Sequence, residues 1–230
     1  MNALSSTVLQ APGVQPGAVR IKLTELFLSI QGEADAVGWP TVFVRFTGCP
    51  LRCQYCDTQY SFHGGQWLVL DQLLDRVADF KVKHVCVTGG EPLAQKGCRP
   101  LLQALCDVGY RVSIETSGAV DISGVDGRVI RVMDIKTPGS GEVNSNRLEN
   151  IALLRPEEQI KFVICDRGDF EWARNLVWER SLYQICTVLF SPSYAQLHAR
   201  DLAQWVLEER LPVRLQVQMH KYLWGDVPGR

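Results

Sequence analysis

The hydrophobic pattern divides the chain into short β-branched runs, each followed by a turn and often by an amphipathic stretch. The runs predict strands over Ile21–Ile30, Thr41–Thr47, His84–Thr88, Tyr110–Glu115, Val129–Ile135, Ile160–Cys165, Cys186–Phe190 and Val213–Met219. The amphipathic stretches predict helices over Asp71–Phe80, Arg99–Val108, Arg147–Leu154, Asp169–Arg180 and Gln196–Arg210. The last is the clearest, with Leu197, Leu202, Trp205 and Val206 near helical spacing and charges elsewhere. Strand–helix alternation implies parallel pairing through right-handed crossovers. No linker, repeat or low-complexity tract interrupts it, so one α/β domain is predicted over residues 20–230. Residues 1–19 carry no charged side chain and are broken by Pro12 and Pro16, which reads as a flexible leader rather than a secretory signal.

Two architectures fit this alternation: an open doubly wound sheet, or a complete or partial barrel of the TIM type. The strand ends choose between them. They carry Gly48-Cys49-Pro50, Thr88-Gly89-Gly90-Glu91-Pro92, Glu115-Thr116-Ser117-Gly118, Asp134-Ile135-Lys136, Ser191-Pro192-Ser193 and Gln218-Met219-His220-Lys221. Nearly every strand thus delivers polar or glycine-rich chemistry at its C-terminal end. A barrel gathers those ends at one mouth, whereas a doubly wound sheet concentrates its chemistry at one switch point. An α/β partial (incomplete) TIM-type barrel is predicted, because 230 residues are too few for eight full βα units.

Composition narrows the class. The chain is 46% apolar and 21% charged, ordinary for a globular domain with a sizeable core. Its 24 basic and 25 acidic residues leave a formal charge of −1, which argues against direct nucleic-acid binding or an anionic membrane surface. No apolar run approaches the ~20 residues of a membrane helix. A cytoplasmic location is expected, and in that reducing compartment the eight cysteines are metal ligands or catalytic groups before they are disulfides.

The sharpest chemistry is Cys49-Pro-Leu-Arg-Cys53-Gln-Tyr-Cys56. Three thiolates on one loop suit a soft metal or a cluster. Zinc is one reading, with His63 able to complete a site, although structural zinc usually takes two separated pairs and no second pair follows. An ordinary 4Fe-4S cluster takes four cysteines; three leave one iron open for catalysis.

This loop follows a barrel strand and has an aromatic residue, Tyr55, before its last cysteine, and so resembles that of the radical S-adenosylmethionine (SAM) enzymes. The resemblance implies that Cys49, Cys53 and Cys56 hold a 4Fe-4S cluster whose open iron is chelated by SAM. Reductive cleavage of SAM then gives a 5′-deoxyadenosyl radical. Thr88-Gly-Gly-Glu-Pro92 matches the superfamily's Gly-Gly-Glu-Pro element, which receives the methionine amino group, and Glu115-Thr116-Ser117 matches a further SAM-contacting segment. The SAM-binding set implied is Tyr55, Cys56, Asp57, Gly89, Gly90, Glu91, Glu115, Ser117, Asp134 and Lys136.

Within the superfamily the chain resembles the 7-carboxy-7-deazaguanine synthase family from Leu26 to Leu223. The matching pieces are Gln31-Gly32-Glu33, Arg45 on the strand before the cluster, Cys56-Asp57-Thr58 and His220-Lys221-Tyr222. The resemblance implies a lyase that converts 6-carboxy-5,6,7,8-tetrahydropterin to 7-carboxy-7-deazaguanine with loss of ammonia, feeding 7-deazapurines such as queuosine. The radical would take a hydrogen from C6, the ring would contract, and the hydrogen would return so that SAM is reused. Substrate would be bound by Ile30, Gln31, Gly32, Glu33, Arg45, Thr88 and His220, with Mg²⁺ on Thr58. The partners implied are an electron donor such as flavodoxin or ferredoxin and a second copy in a homodimer. Other readings are a small radical SAM activase and a non-catalytic iron–sulfur or zinc module. No acid/base pair is assigned. Cys86, Cys165, Cys186 and Cys106 read as small buried hydrophobes and Cys98 as a loop residue. Trp172, Trp178 and Trp205 read as core or dimer packing, and the tail beyond Leu223 has no assigned role.

Overall fold

The computed structural model describes residues 18–225, 227 and 229, so the expected leader lies almost wholly outside the described residues. The strands are β1 (Arg20–Ile30), β2 (Pro40–Phe46), β3 (Gln66–Val69), β4 (His84–Gly89), β5 (Arg111–Thr116), β6 (Ile130–Asp134), β7 (Gln159–Ile164), β8 (Thr187–Pro192) and β9 (Arg214–Leu215). They form one sheet in the order β3-β1-β2-β4-β5-β6-β7-β8-β9. From β2 onward each strand pairs in parallel with the next. The order never reverses, so the switch point that defines a doubly wound sheet is missing. This is the winding of a barrel left open between β3 and β9, as the strand ends predict.

The opening pair departs from strict alternation. β1 runs antiparallel to β2 because residues 31–39 are too few for a crossover. They close instead as a tight loop, with Gln31 N donating to Trp39 O at 2.9 Å and Gly38 N to Gln31 O at 2.8 Å.

The helices are α1 (Leu70–Ala78), α2 (Cys98–Asp107), α3 (Arg167–Glu179), α4 (Leu182–Ile185), α5 (Ala199–Glu208) and α6 (Met219–Trp224). Alternation along each strand sorts its two faces. On β7, Ile160, Phe162 and Ile164 join the apolar core, while Lys161 and Val163 face the central cavity. Phe162 and Phe170 both meet Phe190 edge-on, at 5.4 and 5.9 Å. Asp166 starts α3 by accepting from Asp169 N at 2.9 Å, as an N-cap carboxylate does. Trp172 and Trp205 pack on Phe162 and Phe170, whereas Trp178 is 48% exposed beside Tyr183.

Four sequence readings need correction. β3 is missing from the predicted strands, since four residues at a sheet edge carry too little periodicity to detect. The predicted helix over Arg147–Leu154 is a 3-10 segment, Leu148–Leu153, held by the buried Asn150 amide rather than by an apolar stripe. Cys98 opens α2 and is fully buried, not in a loop. The predicted strand Val213–Met219 pairs only at Arg214–Leu215. Beyond it, Gln216 N still donates to Phe190 O on β8, but Met219 N donates to Gly32 O after β1, at 2.9 and 3.1 Å. That segment therefore spans the gap between the two open sides of the barrel.

Candidate active site

A cavity of about 510 Å³ opens at the C-terminal ends of the parallel strands. Its wall includes Cys49, Cys53, Tyr55, Cys56, Asp57 and Thr58 from the loop after β2, and Thr88, Gly89 and Gly90 from the end of β4. Glu115 and Ser117 join from β5, Asp134 and Lys136 from β6, and Lys161 from β7. Ile30, Gln31 and Glu33 follow β1, Arg45 lies on β2, and His220 comes from α6. Of the expected site residues, only Gly32 and Glu91 stand behind the wall rather than on it.

The cysteine loop is held in place by the main chain. Gly48 N donates to Ser61 O at 2.8 Å, Gln54 N to Ser140 O at 2.9 Å, and Glu91 N to Gly48 O at 2.9 Å. Arg52 lies over the Phe62 ring and its Nη1 donates to the carbonyls of Cys49 and Leu51, at 2.7 Å each. All three thiols are free and half-buried. Burial pushes the Cys53 thiol up to about 11 and moves Cys49 in the same direction, so both stay protonated at neutral pH until a metal displaces the protons. Among the described residues, no three His, Cys, Asp or Glu side chains converge tightly enough to hold one ion. Three spread thiols on one cavity suit a cluster, in which each sulfur meets a different iron, better than tetrahedral zinc.

Glu91 is fully buried and its carboxylate is engaged inside the protein. It accepts from Ser117 N at 2.7 Å, Ser117 Oγ at 2.5 Å, Thr116 Oγ1 at 2.9 Å and Leu93 N at 3.0 Å. The residue expected to touch cofactor instead ties the end of β4 to that of β5. Beside it, Glu115 accepts from Thr88 Oγ1 at 2.8 Å and Gln31 Nε2 at 3.5 Å. Lys136 Nζ pairs with Asp134 Oδ2 at 2.9 Å. Burial, the largest single influence, opposes its charge, but the surrounding anionic groups, Asp134 first, together outweigh it and hold the ammonium protonated. Thr58 lies 3.6 Å, oxygen to sulfur, from Cys56, and Asp57 pairs with Lys221 at 3.0 Å.

A second part of the wall joins residues far apart in the sequence. Glu33 accepts from Lys161 Nζ at 2.7 Å and Gln218 Nε2 at 2.9 Å, and Ala34 N donates to Gln216 Oε1 at 2.6 Å. A Cβ on Gly32 would lie 2.7 Å from the His220 main-chain nitrogen and inside contact distance of its ring. Gly32 thus gives His220 its place, a packing role rather than the expected substrate contact. Arg45 Nε is already paired with Glu25 at 2.6 Å, and Tyr60 OH holds the same carboxylate at 2.8 Å. Only the remaining edge of the guanidinium is left for the expected anion.

Sequence reading missed Lys161, Gln218 as a direct Glu33 partner, and the stacked Phe27–Phe43 pair of the cavity wall, whose rings are 5.1 Å apart. The one sequence signal for Lys161 is that it is the sole charge in an apolar strand, and it becomes readable only once Val163, at the same parity, is seen to face the cavity.

Burial raises the Glu33 pKa, but the charge and hydrogen bond of Lys161, with Gln218 and His220, outweigh it and bring the carboxyl from 4.5 to about 2. A folded-state pKa below the unfolded one gives stability that is full above pH 4.5 and lost as pH falls toward 2. Thermal unfolding followed across that window is expected to show a shallower loss for Glu33→Gln than for the parent, because glutamine has no proton to bind. Parallel curves would show that Glu33 is not held ionised by its neighbours.

Known proteins place this geometry. Residues 43–133 match the model of the radical SAM superfamily, and those residues run from β2 through the cysteine loop to β6. The fold is also that of QueE from Escherichia coli, whose crystal structure superposes with a TM-score of 0.71 at 23% identity, covering 88% of this chain and 95% of that one. An open barrel with a trio of cysteines after its first parallel strand is a radical SAM enzyme, and such an enzyme takes a 4Fe-4S cluster, SAM, a small-molecule substrate and a reductant.

The 7-carboxy-7-deazaguanine synthase of Chlorobaculum tepidum is 42% identical over 208 residues, covering 89% of this chain and 94% of that protein. That of Koribacter versatilis is 39% identical over 219 residues, covering 89% and 97%. The chain belongs to the 7-carboxy-7-deazaguanine synthase family. No helix among the described residues is long and apolar enough to cross a membrane.

Proposed function

We infer that this enzyme converts 6-carboxy-5,6,7,8-tetrahydropterin to 7-carboxy-7-deazaguanine with loss of ammonia, in the route to 7-deazapurines such as queuosine. One observation carries the reading beyond the superfamily. The Gln31-Gly32-Glu33 loop and the Gln218–Lys221 segment, far apart in the sequence, are bonded to each other on the wall of the cavity that the three thiols also line, and Lys221 is paired with Asp57 beside Cys56.

A bound cluster would pass one electron from the external reductant to the SAM sulfonium, whose C–S cleavage releases methionine and supplies radical chemistry at this site. The chain's own residues hold and orient. Cys49, Cys53 and Cys56 would carry the cluster, and Gly90, without a side chain, lets the Gly48–Cys49 main chain lie against the end of β4 and so sets where the cysteine loop stands. Ionised Glu33 accepts from the N–H groups of the pterin's amino-pyrimidine edge. The free edge of Arg45 meets the substrate carboxylate, for which a planar cationic fork is suited. His220, packed on Gly32, covers the substrate from the C-terminal side and keeps water from the reacting carbon. Mg²⁺ takes few protein oxygens and shares the rest with water and substrate; the Thr58 hydroxyl would be its protein ligand, since the Asp57 carboxylate is countered by Lys221. The enzyme works as a cytoplasmic homodimer, with flavodoxin or ferredoxin as electron donor.

Anaerobic incubation of the reconstituted enzyme with SAM, reductant, Mg²⁺ and the carboxypterin is expected to give a product with the mass of 7-carboxy-7-deazaguanine. Unchanged pterin from cluster-loaded protein would falsify the substrate. Thr58→Val is expected to raise the Mg²⁺ concentration needed for half-maximal turnover by about tenfold while iron content stays the same. An unaltered Mg²⁺ dependence would remove Thr58 as the ligand.

A further inference from the structure

A buried row of charges crosses the cavity wall from one ligand side to the other. Lys161 Nζ, on β7, is 2.7 Å from Glu33 Oε2 and 3.4 Å from Asp134 Oδ1, and the other Asp134 oxygen is held by Lys136. Lys161 is only 7% exposed, so its ammonium has exchanged water for these two carboxylates. The grips are unequal. Among the described residues Lys161 is the cation in ion-pair contact with Glu33, with His220 acting from farther off and the neutral amides of Gln218 at 2.9 Å and Gln216 at 3.5 Å supplementing it. Asp134 keeps the closer Lys136 whether or not Lys161 is present.

We propose that Lys161 is a positioning residue for the substrate, fixing Glu33 in one ionised arrangement against the pterin edge while leaving the SAM side to Lys136. The inference rests on the proposed substrate and adds a residue that neither the cysteine loop nor the Gln31-Gly32-Glu33 motif contains. A carboxylate that must accept two parallel N–H bonds cannot rotate freely, and a short buried ion pair to one of its oxygens stops that rotation. Removing the cation leaves Glu33 buried without its counter-charge, so the carboxyl takes up a proton or turns toward water. Either change costs substrate binding first and SAM binding little.

The test compares Lys161→Met, Lys161→Arg, Glu33→Gln and the Met/Gln double variant as cluster-loaded enzymes, with the KM for the carboxypterin and for SAM measured separately. Lys161→Met is expected to raise the pterin KM by about tenfold to a hundredfold and to leave the SAM KM within about twofold, since its partner there is already shared. Lys161→Arg restores most of the loss. On the Glu33→Gln background, Lys161→Met adds nothing further, because the residue acts through a charge no longer there. A parallel rise in both KM values, or a full additional loss in the double variant, would show a merely structural lysine. Should Lys161→Met fail to fold, Lys161→Gln carries the same comparison, keeping a donor but not the charge. A parent enzyme idle on the pterin removes the substrate and this inference together; an active parent with an unaltered Lys161→Met removes the inference alone.

Discussion

Cys53→Ala is expected to abolish both turnover and cluster retention, while Cys106→Ala stays near the parent in both. The two residues are cysteines of similar chemistry in very different places. Cys53 sits half-buried on the cavity wall, in a loop held by the Arg52, Gln54 and Gly48 hydrogen bonds. Its sulfur is one of three, so its loss leaves two ligands for four irons. Cys106 lies near the end of α2 with its side chain in the apolar core. Replacing it removes one polarizable atom from a packed face, which costs about 1 kcal/mol of stability and no chemistry. Iron content, visible absorbance bleached by dithionite, and product formation read the two variants out together. Equal effects at both positions would undo the division of the thiols into ligands and core.

The shared cavity was legible in the sequence because parallel barrels segregate chemistry by position, although Cys165, read with the buried thiols, is only half-buried just past β7 and lies outside the apolar core. Every strand end that looked polar, from Cys49 to His220, does reach one cavity, and the linear strand order explains why a chain too short for eight βα units still gathers them. What stayed hidden depends on contacts between distant residues. Glu91 reads as a ligand-facing group in any motif, yet its partners at Thr116 and Ser117 lie 25 and 26 residues away and turn it inward. Arg45 reads as a free anion receptor, but Glu25, 20 residues earlier, is opposite it across the β1–β2 pair and takes one edge. Lys161 is conspicuous only once the strand's two faces are known, because a charge in an apolar run reads equally well as an exposed edge position. The final segment misled for a different reason. Its alternating pattern is real, but the alternation there turns Gln216 and Gln218 toward Glu33 and Ala34 rather than building a strand ladder.

Gly90→Ala is expected to disrupt the centre almost as thoroughly as loss of a cysteine, and through space alone. Gly90 does not have the left-handed backbone that favours glycine, so an added methyl costs nothing in torsion. Its Cβ would nevertheless lie 2.5 Å from the Gly48 carbonyl carbon and 2.9 Å from Cys49 Cβ, and closer still to the Gly48 oxygen. Main-chain atoms cannot step aside as a long side chain does, and this stretch is bonded from both directions, by Glu91 N to Gly48 O and by Gly90 N to Phe46 O. The alanine must therefore push the first cysteine away from the end of β4, at a cost of about 1–3 kcal/mol in folding and most of the bound iron. Gly109→Ala supplies the contrast. Gly109 has φ +90 and nothing within 4 Å of its would-be Cβ, so it meets only torsional strain of about 1–2 kcal/mol and keeps its cluster. Matched losses of folding stability with iron lost only from Gly90→Ala would place the requirement in the contact between two strand ends, and a fully loaded Gly90→Ala would show that the cysteine loop does not depend on that contact.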